Sequence, residues 1–192
     1  IGGRMSKLQV ETISHTNNTT GMTISSTGEV EQPQMTVAMF APNDNYTVSS
    51  TNIIGGDSVS AWTSMHDLSG FFFKNIGTPP TESSGIFTFP STGVYEIHHI
   101  IGMYSTNDSR NAGTSIEISS DSGSNYSAFW FYAQVENFGA TGYSSAQGFT
   151  IVNVTNASTF RARFRYDIAS STVLRNAYYS RTTFKKIAPA QS

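Results

Sequence analysis

The hydrophobic pattern of this chain is that of strands rather than helices. No stretch of eleven or more residues places apolar side chains at the helical spacing i, i+3, i+4, i+7 without interruption by glycine or strand-forming residues. Short alternating runs are instead separated by Gly, Asn, Ser and Pro, which predicts an all-β antiparallel sandwich or jelly roll. The predicted strands are 35–40, 58–63, 71–75, 86–89, 94–104, 114–119, 126–135, 143–154, 159–166 and 176–187. The predicted loops include 41–56, 77–84, 106–113, 121–125 and 167–174.

The composition excludes several classes of protein. Charged residues make up only 12% of the 192 residues, but aromatic residues also reach 12%, which is incompatible with a disordered chain. A net charge of −2 argues against a nucleic-acid-binding protein, since binding to the phosphate backbone requires a strongly basic face. There is no cysteine for a disulfide, a thiolate metal site or a nucleophile, and no apolar run long enough for membrane insertion.

The N-terminal part of the chain differs from the remainder. Residues 1–4 resemble a remnant of cloning or cleavage ahead of a natural start at Met5, which would make the chain a nearly complete small protein. Residues 5–32 are polar and contain too few apolar side chains to fold alone. We therefore predict a stem or attachment segment at 5–32 and a globular head at 33–192, with Pro33 marking the boundary.

The predicted strand 159–166 alternates between apolar and basic residues. One face carries Phe160, Ala162, Phe164 and Tyr166, and the other carries Arg161, Arg163 and Arg165. This pattern is typical of a sheet with one buried face and one wet face. The arginine row has two interpretations. In the first, the row is a solvated face or pairs between subunits with acids such as Glu96 or Glu117. In the second, it contacts an anionic glycan or lipopolysaccharide, because arginine binds carboxylate and phosphate in a bidentate manner.

The predicted strand 126–135 is rich in aromatic residues. Alternation places Phe129, Phe131 and Ala133 on one face, and Trp130 and Tyr132 on the other. Because both faces are apolar, one is expected to belong to the core. The second face is either a subunit interface or a platform on which a sugar stacks.

Two loops are candidate binding loops, since loops on a rigid scaffold commonly carry binding residues. They are residues 107–111, with Asn107 and Asp108, and residues 121–125, with Asp121 and Asn125.

No pattern in the chain indicates catalysis. There is no G-x-S-x-G motif, and the thirteen acidic residues are spread singly, so we expect no enzyme activity, no cofactor and no metal. The adjacent His98 and His99 must face opposite sides of a strand. One of them is expected to line a subunit interface, with a structural role or, in a trimer, a threefold metal or anion site as the alternatives.

Residues 85–97, G-I-F-T-F-P-S-T-G-V-Y-E-I, resemble the G-x-F-T-x-P-x-x-G-x-Y stretch of the complement-q and tumour-necrosis-factor-like (TNF-like) jelly rolls. In this reading Phe87 and Phe89 alternate into a core and Gly93 permits a tight turn. The resemblance implies an antiparallel jelly-roll β-sandwich of TNF-like type. It also implies a homotrimer, because proteins of that family are usually trimeric.

Residues 7–13, K-L-Q-V-E-T-I, and 21–30, G-M-T-I-S-S-T-G-E-V, resemble the opening of small structural proteins of marine bacteriophages, cyanophages in particular. The resemblance implies a virion protein, such as a tail-fibre tip or a head fibre, attached to the particle by its stem. Its implied function is adhesion to the host surface, through a surface glycan. The alternative is a purely structural decoration protein of capsid or tail that binds no host ligand.

Overall fold

The computed structural model describes residues 12–14, 20–24, 30–31, 35–42, 46–48, 52–56, 62–65, 74–105, 109–135, 142–168, 172–174 and 179–191. Every regular element among these residues is a β-strand. No helix in this part of the chain has the length and hydropathy needed to cross a bilayer. The chain divides into two compact units, Ile1–Met35 and Thr36–Ser192.

The first unit contains a small antiparallel sheet of three strands in the order β1-β2-β3. These strands are β1 (Thr12–Ser14), β2 (Thr20–Ile24) and β3 (Val30–Glu31). The role of residues 5–32 as a stem stays a prediction.

The second unit contains thirteen strands among its described residues. They are β4 (Val37–Pro42), β5 (Tyr46–Val48), β6 (Asn52–Ile53), β7 (Trp62–Ser64), β8 (Thr81–Ser83), β9 (Ile86–Thr88), β10 (Gly93–Ser105), β11 (Ser109–Ser119), β12 (Ser127–Val135), β13 (Gly142–Val154), β14 (Arg161–Ile168), β15 (Thr172–Leu174) and β16 (Arg181–Ala188).

These strands form two antiparallel sheets. The seven-stranded sheet has the order β5-β15-β10-β16-β4-β7, and β13 pairs with β10 along its whole length. The six-stranded sheet has the order β12-β11-β14-β9-β8, and β6 pairs with β14. Consecutive strands frequently lie in different sheets, as in a jelly roll, so the all-β jelly-roll prediction is confirmed.

The core between the two sheets is largely aromatic. Phe87 has no solvent exposure, and its ring centroid lies 5.0 Å from that of Phe40 and 5.5 Å from that of Phe164. Trp62 packs edge-on to Phe87 at 5.7 Å and donates its indole N–H to the Ile54 carbonyl at 2.8 Å. These edge-to-face arrangements stabilise a core beyond the burial of apolar area alone.

The 85–97 motif has a physical explanation in this core. Phe87 and Phe89 both point inward, as predicted, and Tyr95 is fully buried. A Cβ added to Gly93 would lie 2.4 Å from Cε of Lys186, so this glycine leaves room for the lysine stem. The residue types of the 85–97 motif are therefore explained by side-chain packing around the start of β10.

Short strands also occur in regions predicted as loops. Strands β5 and β6 lie within 41–56, β8 within 77–84 and β15 within 167–174, while β11 begins at Ser109, inside the predicted loop 106–113. Strands β5 and β6 pair with β15 and β14, which are distant in the sequence, and local alternation does not reveal such pairing. Strand β8 forms a short hairpin with the next strand, β9. In the predicted strand 71–75, residues 71–73 lie outside the described residues, and Lys74 and Asn75 are not in a strand.

Candidate ligand-binding face

The arginine row lies on the outer face of the six-stranded sheet, as predicted. On β14, Ala162 and Phe164 are fully buried, whereas the side chains of Arg163 and Arg165 are 22% and 31% exposed. Arg161, at the end of the row, donates from Nη1 to the carbonyl of its neighbour Phe160 at 2.8 Å. This face is the candidate ligand-binding face.

The strand register brings the arginines beside the aromatic strand. Ser115 of β11 lies opposite Trp130 of β12 on one side and opposite Arg165 of β14 on the other. Directly opposed residues share a face, so Trp130 and Arg165 flank the small Ser115 side chain. The structure therefore joins two features that the sequence presents as separate.

A buried carboxylate holds two of the arginines. Glu117 is only 2% exposed, although it belongs to the outer face. Its Oε2 accepts from Nε of Arg163 at 2.5 Å, and its Oε1 lies 3.4 Å from Nη1 of Arg165. Glu117 is thus a partner of the arginine row, but within one chain and not between subunits as predicted. Glu96 instead lies 3.2 Å from Nε2 of His98 in the other sheet.

Aromatic rings pack against both paired arginines. The guanidinium carbon of Arg163 lies 3.7 Å from the Tyr126 ring centroid, and that of Arg165 lies 6.0 Å from the Trp130 ring. Both distances suit a cation–π interaction. The Trp130 and Tyr132 rings are nearly parallel, at 20°, with centroids 6.0 Å apart.

Tyr132 lies over a glycine of the neighbouring strand. A Cβ at Gly113 would fall 2.6 Å from the Tyr132 ring, so the glycine lets this ring approach the sheet. The Tyr132 hydroxyl donates to Oδ2 of Asp167 at 3.1 Å. Desolvation, then this bond to a carboxylate, raises the pKa of Tyr132. The ring nonetheless remains 55% exposed.

The predicted binding loop 121–125 is closed by its own hydrogen bonds. The Asp121 carboxylate accepts hydrogen bonds from Ser119 Oγ at 2.6 Å, from the backbone N–H of Asn125 at 2.9 Å and from the side-chain Nδ2 of Asn125 at 2.7 Å. The bond from Ser119, followed by those from Asn125, lowers the pKa of Asp121 to about 2. The Asp121 carboxylate thus stabilises the turn 121–125 by hydrogen bonding.

The other predicted binding loop, 107–111, is only partly described. Asn107 and Asp108 lie outside the described residues, so their role stays a prediction. The prediction that residues 109–111 belong to a loop is wrong, because these residues begin strand β11.

The two histidines point in opposite directions, as predicted. His99 is buried, and its Nε2 lies 2.7 Å from Thr114 Oγ1, while its Nδ1 lies 2.6 Å from Thr182 Oγ1. Thr114 donates its hydroxyl hydrogen to the Arg165 carbonyl at 2.8 Å, so it must accept from His99, which places a proton on Nε2. Burial lowers the pKa of His99 to about 3.

His98 lies on the outer face of the seven-stranded sheet. Its ring stacks on Phe149 with centroids 5.5 Å apart and an 18° angle between the planes. The two rings border a depression of about 520 Å³ that also includes Gln147, Arg181 and Thr183. The described residues contain no group of three or more acidic or histidine side chains placed to hold a metal ion.

A polar cluster beside the 85–97 motif was not anticipated from the sequence. Nζ of Lys186 donates to Ser91 Oγ at 3.2 Å, and this oxygen lies 3.1 Å from the Tyr95 hydroxyl. Lys186 is only 7% exposed, and burial lowers its pKa. The tyrosine also donates to the Ser91 carbonyl at 3.1 Å, so the cluster ties the 90–93 turn to β16.

Comparison with solved structures defines the class of fold. Eiger TNF from S. frugiperda matches with a TM-score of 0.62 and 14% identity, covering 82% of this chain and 96% of that one. Murine APRIL matches with a TM-score of 0.57 and 10% identity, covering 80% of this chain and 100% of that one. The chain therefore has an antiparallel jelly-roll fold of TNF-like type. No family model and no curated protein matches its sequence.

Proposed function

We propose that this chain is a non-enzymatic phage virion protein whose jelly-roll domain forms a homotrimeric head at a tail-fibre tip or head fibre. Residues 5–32 attach the head to the particle, and the head adheres to the host surface. The virion assignment is supported by the similarity of residues 7–13 and 21–30 to phage leaders. The trimer is supported by an exposed apolar surface on the seven-stranded sheet.

That surface, here called the apolar face, lies on β13 and β16. Its members Tyr143, Phe149, Ile151 and Ile187 are 67%, 61%, 57% and 45% exposed. Phe149 and Ile151 occupy alternate positions of β13, and Tyr143 lies six residues before Phe149 on the same side of the strand. Grouped apolar side chains of this kind mark protein interfaces on soluble domains.

Charged and polar groups lie within and beside the apolar face. Glu96 and His98 form their pair on β10, which lies between β13 and β16, and Arg181 borders the depression beside Phe149. A neighbouring copy would insert an apolar side chain into this depression. The candidate ligand-binding face belongs to the other sheet and stays available for adhesion.

The test of the trimer is the solution mass of the full chain and of a chain lacking residues 5–32, by light scattering coupled to size exclusion. We expect three protomers for both forms. The Ile151→Asp variant should be monomeric, and Ser127→Asp, which adds the same charge at an exposed position of the other sheet, should stay trimeric. A monomeric mass for both wild-type forms overturns the proposal.

One observation favours the decoration protein as a second candidate. In the loop 121–125, the Asp121 carboxylate accepts hydrogen bonds from Ser119 and Asn125 and is therefore not presented to a ligand. Binding of the trimer to host cells and to an array of bacterial surface glycans separates the candidates. Binding to purified phage capsids or tails, without binding to any glycan at high valency, supports decoration.

A further inference from the structure

We propose that Trp130, Tyr132 and Arg165 form a binding site for an anionic saccharide on the outer face of the six-stranded sheet. The site deepens the proposed adhesion function and rests on it. The saccharide carries a carboxylate or a sulfate, which Arg165 binds, and a pyranose ring, which packs on the aromatic side chains. Asp167 completes the site as an acceptor for sugar hydroxyls.

The aromatic part of the site is held in place before a ligand arrives. Tyr132 lies over Gly113 and is fixed at its hydroxyl by Asp167, 3.1 Å away. The ring of Trp130 runs nearly parallel to it. Fixed, half-exposed Tyr and Trp rings provide contact area at low entropic cost, and the C–H face of a pyranose can pack against them.

Arg165 is held between a carboxylate and an aromatic ring. Its Nη1 reaches Glu117 at 3.4 Å, and its guanidinium carbon lies 6.0 Å from the centre of Trp130. A guanidinium has five N–H donors, and the bond to Glu117 uses one of them. Because 31% of the side chain is exposed, a ligand can reach these donors.

The charge of this face favours an anion over a neutral sugar. Three arginines, at 161, 163 and 165, stand with three acids, Glu117, Asp167 and Asp121, of which Asp121 lies near Tyr126 at the end of the face. Their formal charges therefore balance. Glu117 is buried beneath the arginines and Asp121 accepts from Ser119 and Asn125, so the guanidinium groups form the accessible positive charge. A carboxylate or sulfate is attracted to these groups.

The site is repeated and unobstructed in the proposed trimer. It lies on β11, β12 and β14, whereas the apolar face lies on β13 and β16 of the other sheet. Each protomer therefore presents one copy to a polysaccharide. Linked weak sites gain avidity by effective concentration, which suits attachment to a polymer with many repeats.

The test measures binding of the full chain to oligogalacturonate, to its uncharged methyl ester and to dextran sulfate. Trp130 supplies a local signal, because the other tryptophan, Trp62, is only 5% exposed. We expect quenching of Trp130 fluorescence by the two anionic probes and not by the ester. The tighter of the two anionic probes identifies carboxylate or sulfate as the preferred group.

Variants separate this site from general electrostatic attraction. Tyr132→Ala and Arg165→Gln should each weaken binding by roughly tenfold or more, and Arg165→Lys should also weaken it because the bidentate fork is lost. Tyr132→Phe keeps the ring but loses the bond to Asp167 that fixes it, so it should bind more weakly than wild type and more tightly than Tyr132→Ala. Arg161→Gln removes the same charge at the end of the row and should bind within about twofold.

Equal losses in Arg161→Gln and Arg165→Gln, or equal binding of the ester, overturn the site. Failure of the site and failure of adhesion give different results. If the wild-type trimer binds host cells while the Tyr132→Ala and Arg165→Gln variants bind them equally well, this site is wrong and adhesion stands. If the wild type binds neither host cells nor any probe, both proposals fail.

Discussion

Nε of Arg163 lies 2.5 Å from Oε2 of Glu117, and this carboxylate is almost completely buried on what is otherwise the wet face of the sheet. Glu117 is covered because the long arginine side chains of the next strand fold over it. Alternation alone is compatible with three solvated arginines on this strand. In the structure, two of them belong to an ion-pair network centred on the buried Glu117. The network fixes two guanidinium groups beside two aromatic rings.

Replacing Glu117 by Gln should destabilise the domain. The amide keeps the shape of the side chain but leaves Arg163 and Arg165 without their common counter-charge. Since both arginines are partly exposed, we expect a loss of about 1–3 kcal/mol in the free energy of unfolding, less than for a fully buried pair. Urea denaturation followed by tryptophan fluorescence measures this loss. Arg161→Gln is the matched control, and equal stability of Glu117→Gln and wild type would contradict the network.

His99 should make the domain sensitive to acid. Its pKa is about 3 in the folded chain, below the ordinary value of 6.5, because burial disfavours the charged ring. The unfolded chain thus binds a proton that the folded chain does not. The stability linked to His99 is complete above pH 6.5 and is lost as pH falls towards 3, at up to about 1.4 kcal/mol per pH unit.

Urea denaturation at a series of pH values tests this dependence. His98→Gln, at the exposed neighbouring position, should keep the wild-type slope, whereas His99→Gln should flatten it. If His99→Gln does not fold, long-range proton–nitrogen spectra of the wild type provide the test. They should show a neutral ring protonated at Nε2 at pH 5, and a charged ring at that pH would disprove the assignment.

Gly148→Ala should disturb the contact between the two sheets. An added Cβ at Gly148 would lie 2.0 Å from the ring of Phe131, which packs across from β12 onto β13. Overpacking of this kind costs about 1–3 kcal/mol, because the ring must leave its position. The double variant Gly148→Ala/Phe131→Leu should recover part of the loss in thermal denaturation. Simple additivity of the two changes would show that the ring and the glycine are not coupled.

Asp121→Ala should loosen the turn at 121–125 without unfolding the domain. The carboxylate accepts the backbone N–H of Asn125 at 2.9 Å, so its removal should speed hydrogen exchange of that amide. The pKa of Asp121 is lowered to about 2, so the same protection is present above pH 3.8 and is lost as pH falls towards 2. Ser120→Ala, at the exposed position just before Asp121, is the control. An unchanged hydrogen-exchange rate of the Asn125 amide in Asp121→Ala would contradict this stabilising role of the carboxylate.

Local alternation was sufficient to assign the faces of the long strands. On β14 it separated Phe164 from Arg163 and Arg165, and on β10 it separated His98 from His99, because side chains on a strand alternate with a period of two. It also predicted the inward direction of Phe87. It did not indicate which of the two histidines would enter the core, since that depends on which face meets the second sheet.

The short strands could not be predicted from the sequence, because they too depend on which segments meet in the tertiary structure. β6 has only the residues Asn52 and Ile53, and it is a strand because β14 offers hydrogen-bonding partners to it. Such pairing joins segments more than a hundred residues apart. A run of two or three residues carries too little periodicity to indicate it.

The sequence by itself determined the all-β class, the two faces of β14 and the inward direction of Phe87 and Phe89, because these follow from side-chain alternation. Only the tertiary structure decided which faces meet. The register of β11 between β12 and β14 places Glu117 under Arg163, Trp130 beside Arg165, and Gly113 under Tyr132. Cross-strand register is fixed by the packing of both sheets together, and no local pattern in a single strand encodes it.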